Sequence, residues 1–136
     1  MIPQADIIAW RQSAPWADDG LVEQDLVLSR ALVEIFRDRS LADALGFRGG
    51  TALQKVALTP PRRYSEDIDL VQVQPGAIGR IIDGLRARLD PWLDEPKRER
   101  AEASVTLLYR FESTAALELV RRELIERLPG EQWRGR

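Results

Sequence analysis

The sequence predicts a soluble α/β (α+β) domain with a small mixed sheet flanked by helices. Three observations lead there. Apolar residues recur at three- and four-residue steps along Leu21 to Arg37 and Ala77 to Leu89, which is helical spacing. Two short apolar runs, Ile68 to Val73 and Val105 to Phe111, read as buried strands. A chain of 136 residues, 44% hydrophobic and 31% charged, has apolar surface enough for one core and too little length for two. The expected organisation is one domain over 1–136, its core at about 18–113 and a C-terminal helix and tail over 114–136.

Taken in order, Met1 to Ala17 is weakly patterned, with a short helix expected from Asp6 to Gln12. Asp18 or Asp19 can cap the helix that follows, because a short acidic side chain accepts from the unpaired N–H groups of a first turn. Along that helix Leu21, Leu28, Leu32, Ile35 and Phe36 form the apolar pattern, with Glu23, Asp25, Arg30 and Arg37 interleaved, and it should pack on the sheet. A second helical stretch, Leu41 to Leu45, ends at Gly46, and Phe47-Arg48 is too short for an independent strand. Ala52 to Leu58 is a short helix, stopped by Thr59-Pro60-Pro61.

Ile68 to Val73 is the clearest strand, and Pro75-Gly76 turns the chain into a core-facing helix carrying Ile78, Ile81, Ile82, Leu85 and Leu89. Asp90-Pro91 should end it. Asp94 to Ser104 is highly charged and reads as a loop or strand edge, and Val105 to Phe111 as a second strand beside the first. Leu117 to Leu128 returns to helical spacing, capped by Ser113 or Thr114 and closed by Pro129-Gly130.

Composition narrows the chemistry. Cysteine and histidine are both absent, so thiolate and imidazole ligands are excluded, as is histidine base catalysis. A metal would be held by oxygen, which favours Mg²⁺ (or Mn²⁺) over zinc. A net charge of −2 with scattered basic residues does not mark a nucleic-acid binder. No apolar run approaches the ~20 residues of a membrane span and no leader pattern opens the chain, so the expected location is the cytoplasm.

Two half-sites stand out between Phe47 and Val73. In the first, Gly49-Gly50 would let backbone N–H groups approach an anion closely, at the positive end of the following helix. Thr51 can cap that helix or offer its hydroxyl to a phosphate, and Lys55, one turn in, either reaches the phosphate or points to water. A glycine pair before a helix is also an ordinary turn, and the Walker A spacing is not met. In the second half-site, strand alternation would place Ser65, Asp67 and Asp69 on one face, the aspartate Cα atoms about 7 Å apart, so that both carboxylates lean onto one cation. Alternatively Arg62 and Arg63 neutralise the pair, and Ser65 either bonds a phosphate or caps the strand start. Two-metal phosphoryl or nucleotidyl transfer normally adds a third carboxylate from a neighbouring strand. The neighbouring strand, Val105 to Phe111, contains no acid; Glu112 at its end stands slightly ahead of Glu118, six residues later in a helical stretch, and neither is a convincing third.

Phe47-Arg48-Gly49-Gly50-Thr51-Ala52-Leu53 followed by Arg63-Tyr64-Ser65-Glu66-Asp67-Ile68-Asp69-Leu70 resembles the AbiEii/AbiGii toxin family of nucleotidyltransferases. Val22-Glu23-Gln24-Asp25-Leu26 and Tyr109-Arg110-Phe111-Glu112-Ser113 look like the same family, so the similarity spans roughly residues 10 to 113. The resemblance implies a polymerase-β-like nucleotidyltransferase core and the toxin half of a toxin–antitoxin pair, with a DNA-binding AbiEi-type antitoxin as partner. It implies transfer of a nucleotide from a nucleoside triphosphate (NTP) to an RNA acceptor, tRNA ends in some members. Gly49, Gly50 and Thr51 match the triphosphate motif, Asp67 and Asp69 the metal pair, and Ser65 a functionally sensitive position.

After Ser113 the family continues into a strand with a Lys-x-Glu-type motif and a helical C-terminal half, whereas Thr114 to Arg136 reads as one short amphipathic helix. A member truncated or internally deleted at its C-terminal end is therefore expected. Two other outcomes stay open: a catalytically silent member that binds nucleotide or an antitoxin without turnover, and transfer to a small molecule. Assembly into a homo-oligomer is one way to cover an apolar edge left by a missing half.

Overall fold

The computed structural model of the chain describes residues 2–58, 60–61 and 64–110. Helices and short antiparallel strands are mixed along the chain, in keeping with the expected fold class: α1 (Gln4–Trp10), α2 (Asp19–Arg37), α3 (Arg39–Ala44), β1 (Leu45–Arg48), α4 (Gly49–Ala52) running on into a π-helical turn (Leu53–Ala57), β2 (Asp69–Gln72), α5 (Ile78–Leu93), β3 (Lys97–Ala101) and β4 (Ser104–Leu108). None of the described helices is long and apolar enough to cross a membrane. The chain divides into two compact units, one holding the residues up to Glu23 and the other beginning at Gln24.

In the first unit Ile7, Ala14 and Val22 are buried. Of the two candidate caps for α2 the structure uses Asp18, whose Oδ1 accepts from Gly20 N at 2.7 Å and Leu21 N at 3.4 Å. Asp19 instead opens the helix and pairs with Arg11. Helix α1 starts at Gln4, two residues before the expected Asp6, because Pro3 supplies its carbonyl to both Asp6 N and Ile7 N.

Most buried apolar residues of the second unit come from α2 and α5, with Leu41 of α3 and Leu45 of β1 beside them. Val27, Ala31 and Ile35 repeat every four residues on α2, and Ile81, Ile82, Leu85, Leu89 and Leu93 cover one side of α5. Helix α5 passes through Asp90-Pro91, where the sequence suggested it would stop. Pro91 lies in the final turn, so it removes a single backbone hydrogen bond. Leu89 and Leu93 on either side are 6% exposed, and burying each is worth about 1.5–3 kcal/mol, enough to hold that turn helical. Asp94, at φ +62°, ends it.

One acidic side chain joins α3 to α5. Asp38 Oδ1 accepts from Ser40 N at 3.0 Å and Leu41 N at 3.3 Å, capping α3, while Oδ2 accepts from Arg88 Nη2 at 2.8 Å and Nε at 3.0 Å. The bonds from Ser40, then Arg88, then Leu41 hold this carboxyl down to about 2.

The strands form two separate antiparallel pairs, β1 with β2 and β3 with β4. This corrects the sequence reading in two places. Phe47-Arg48 belongs to a real four-residue strand, paired from Leu45↔Gln72 to Arg48↔Asp69. The strand expected at Val105 to Phe111 is observed over Ser104–Leu108, where it pairs with the charged stretch Lys97–Ala101 rather than with β2. Every residue of β3 is exposed, so no apolar alternation announces it. Thr59, Arg62, Arg63, and the expected helix, caps and tail from Phe111 onward lie outside the described residues.

Candidate functional site

Pairing of β1 with β2 brings the two half-sites together. Because Arg48 stands opposite Asp69, the glycine turn that leaves the end of β1 begins beside the residue that starts β2. Gly49 has φ +81°, a left-handed conformation that side chains other than glycine's resist. It also has no room for a Cβ, which would run into the Asp69 carboxylate and lie 3.2 Å from both Asp69 Cβ and Cγ. Position 49 is thus glycine for two independent reasons, and one of them is the aspartate.

The helix after the turn begins at Gly49 itself, three residues before the expected Ala52. Thr51 is therefore inside the first turn and does not cap it. Its side chain is buried, 2% exposed. Thr51 Oγ1 donates to the carbonyl of Asp67 and also bonds Ser65 Oγ. A hydroxyl has one proton, so with that proton on Asp67 O the bond to Ser65 must be donated by Ser65. The two hydroxyls lock the glycine-turn helix to the segment before β2.

That segment, residues 64–68, has no regular structure, and the strand starts only at Asp69. The expected strand alternation through Ser65, Asp67 and Asp69 does not exist; the Thr51 hydroxyl holds Ser65 and Asp67, and pairing with Arg48 holds Asp69. Asp67 and Asp69 are both exposed. Among the described residues no hydrogen bond or ion pair given by the structure engages either carboxylate. Arg62 and Arg63, the alternative partners, lie outside the described residues.

Two exposed carboxylates, with no imidazole or thiolate in the chain, suit a hard cation that keeps several waters and takes substrate phosphate oxygens as further ligands. Mg²⁺ or Mn²⁺ fits that donor set. Among the described residues no three acidic side chains are grouped to hold a metal, and Glu112 and Glu118, the candidates for a third, fall outside them. β4, expected to neighbour the aspartate strand, belongs to the other sheet.

Helix α2 supplies what sequence reasoning missed. Asp25, read as one of the polar residues interleaved along the helix, is 3% exposed, and its Oδ2 lies 2.6 Å from Lys55 Nζ. Lys55 therefore points at α2, where the sequence offered only a phosphate or water. Gln24 Nε2 donates to the carbonyl of Glu66 at 3.4 Å. Burial first, then the carboxylates of Glu66 and Asp25, push the Tyr64 hydroxyl up to about 12. Glu23 is fully buried. A signal for it existed: stepping back four residues along Ile35, Ala31 and Val27 lands on Glu23, so an acid continues a buried stripe.

Residues 30–129 match the family model described as nucleotidyl transferase AbiEii toxin, Type IV TA system. No curated protein and no solved structure matches the chain.

Proposed function

This chain belongs to the AbiEii nucleotidyl transferase toxin family of type IV toxin–antitoxin systems, and from that premise we propose that residues 47–73 form its nucleotide- and metal-binding site. In this reading the backbone N–H groups of Gly49, Gly50 and Thr51 face the triphosphate of an NTP, with Lys55 adding positive charge from the same helical run. Asp67 and Asp69 hold Mg²⁺ (or Mn²⁺), and Ser65 shapes the segment between them and the turn. A bound metal would neutralise phosphate charge and orient the transferred group. The acceptor is RNA, with tRNA ends as the first candidate, and the partner is an antitoxin of the AbiEi type.

The observation that carries this is the Arg48↔Asp69 register together with the close approach of the Asp69 carboxylate to Gly49. It supports a single site, because an anion at the turn and a cation on Asp69 would be neighbours. The protein's own share of the chemistry is then positioning. The Thr51 hydroxyl fixes the Asp67 backbone, the absent Cβ at Gly49 leaves Asp69 its place, and the exposed carboxylates remain available to a cation.

The test is incubation with labelled NTPs, Mg²⁺ and total RNA, with Asp69→Ala as control. Label transfer that Asp69→Ala abolishes supports the enzyme. Mg²⁺-dependent binding of triphosphate without transfer supports the silent member, and label on small molecules rather than RNA moves the acceptor class. No triphosphate binding at all overturns the proposal.

A further inference from the structure

Resting on the reading of residues 47–73 as a nucleotide site, we propose that Asp25 is a positioning residue of that site, acting through Lys55. The observations are geometric. Gly49–Ala52 and Leu53–Ala57 form one continuous helical run, so the turn and Lys55 move together. The Lys55 ammonium is held 2.6 Å from Asp25 Oδ2, with side-chain exposures of 21% and 4%. Next to Asp25 on α2, Gln24 donates to the Glu66 carbonyl, in the segment that leads to both aspartates. Consecutive residues of one helix thus reach both half-sites, which Thr51 already ties to each other.

A charged pair is an unusual choice for a mere anchor. Desolvating both ions offsets much of their attraction, and apolar residues of similar volume often serve stability as well or better. What a carboxylate–ammonium pair adds is direction. The ammonium is fixed at one point on the inner side of the helix that carries the glycine turn, and that helix is fixed in rotation about its own axis. The Asp25 carboxylate meets the Lys55 ammonium directly, and Lys55 shares one helical run with the glycine turn, so the pair is the route by which Asp25 orients the turn.

The experiment measures binding of a fluorescent ribonucleoside triphosphate, each of the four bases in turn, with Mg²⁺, by wild type, Asp25→Asn, Lys55→Met and the double variant. Urea unfolding of each variant reports stability separately. Losing an outer-shell group that orients a metal ligand typically costs about 10–100-fold in affinity, a scale that sets the expectation for the Asp25–Lys55 pair. Asp25→Asn is therefore expected to weaken triphosphate binding about tenfold in the folded protein, and the double variant to bind no more weakly than Lys55→Met. Wild-type affinity in folded Asp25→Asn overturns the inference, as do losses that multiply in the double variant. If Asp25→Asn does not fold, Asp25→Leu combined with Lys55→Met replaces the pair at similar volume. That variant is expected to fold and bind at least about tenfold more weakly, and wild-type binding by it overturns the inference. Wild-type protein that binds no triphosphate overturns the functional reading itself and this inference with it.

Discussion

Gly49 and Gly50 are adjacent, and the structure predicts opposite results from the same change at each. At Gly49, alanine meets two penalties. Holding a Cβ-bearing residue at φ +81° costs about 1–2 kcal/mol. Its Cβ also collides with the Asp69 carboxylate, and forced overpacking of this kind typically costs about 1–3 kcal/mol. The lost flexibility of the unfolded chain returns about 0.4–1 kcal/mol. The net expectation is about 2–4 kcal/mol of destabilisation. At Gly50 the φ is not positive and the nearest atom to an added Cβ is Ser65 Oγ at 3.9 Å, an ordinary contact. Gly50→Ala should therefore stabilise by about 0.5 kcal/mol. Urea unfolding of both variants measures the difference.

Repeating Gly49→Ala in an Asp69→Ala background isolates the collision. With the carboxylate gone the cost should fall by at least about 1 kcal/mol, because only the backbone term and a 3.2 Å approach to Asp69 Cβ remain. Equal costs in the two backgrounds, or a Gly49→Ala variant within about 0.5 kcal/mol of wild type, would refute the claim that the glycine turn is shaped around the aspartate.

Thr51→Val should destabilise by about 1–3 kcal/mol in urea unfolding, since the Asp67 carbonyl and the Ser65 hydroxyl both lose their buried partner, whereas Thr51→Ser should lose much less. For Asp38, whose carboxyl is held at about 2 in the folded chain against about 3.9 unfolded, the unfolded state binds more protons between those values. Its contribution is present above pH about 4 and is lost as pH falls through about 2, so Asp38→Asn should flatten acid unfolding in that window. Tyr64 should remain a phenol until about pH 12, and Tyr109 is also raised, by burial and by its bond to Asp90. Absorbance titration of the native protein should show no phenolate near pH 10, and a full tyrosine step there would contradict the packing around Tyr64.

Helices were legible because their signal is local. Apolar spacing located α2 and α5 within a few residues, and the misplaced end at Pro91 reflects burial of Leu93, a tertiary effect. Strands were legible as apolar runs, yet neither is the buried strand expected, since β2 and β4 alternate exposed with half-buried residues. β1 reads as too short because Gly46 interrupts it, yet a Cβ at Gly46 would sit 3.1 Å from Val71 and Val73, so the strand exists through its partner. The sequence offered candidate residues for a site, but not how the chain holds them. Ser65 and Asp67 looked like strand residues, and only the buried Thr51 hydroxyl reveals that a side chain replaces the ladder there. Asp25 was hidden for a related reason. An acid on a helix usually faces water, and nothing local says that Lys55, thirty residues on, comes back to meet it.

In the function proposed above, the glycine turn and the aspartate pair form one site. Linked binding of Mn²⁺ and a nucleoside triphosphate is the test, because a cation beside a phosphate should raise its affinity, and the effect is reciprocal by the same factor. Titrating triphosphate with and without Mn²⁺, in wild type and in Asp69→Ala, gives that factor. Mn²⁺-strengthened binding is expected in wild type and should disappear in Asp69→Ala. Triphosphate binding of equal strength in both proteins, indifferent to Mn²⁺, would contradict it.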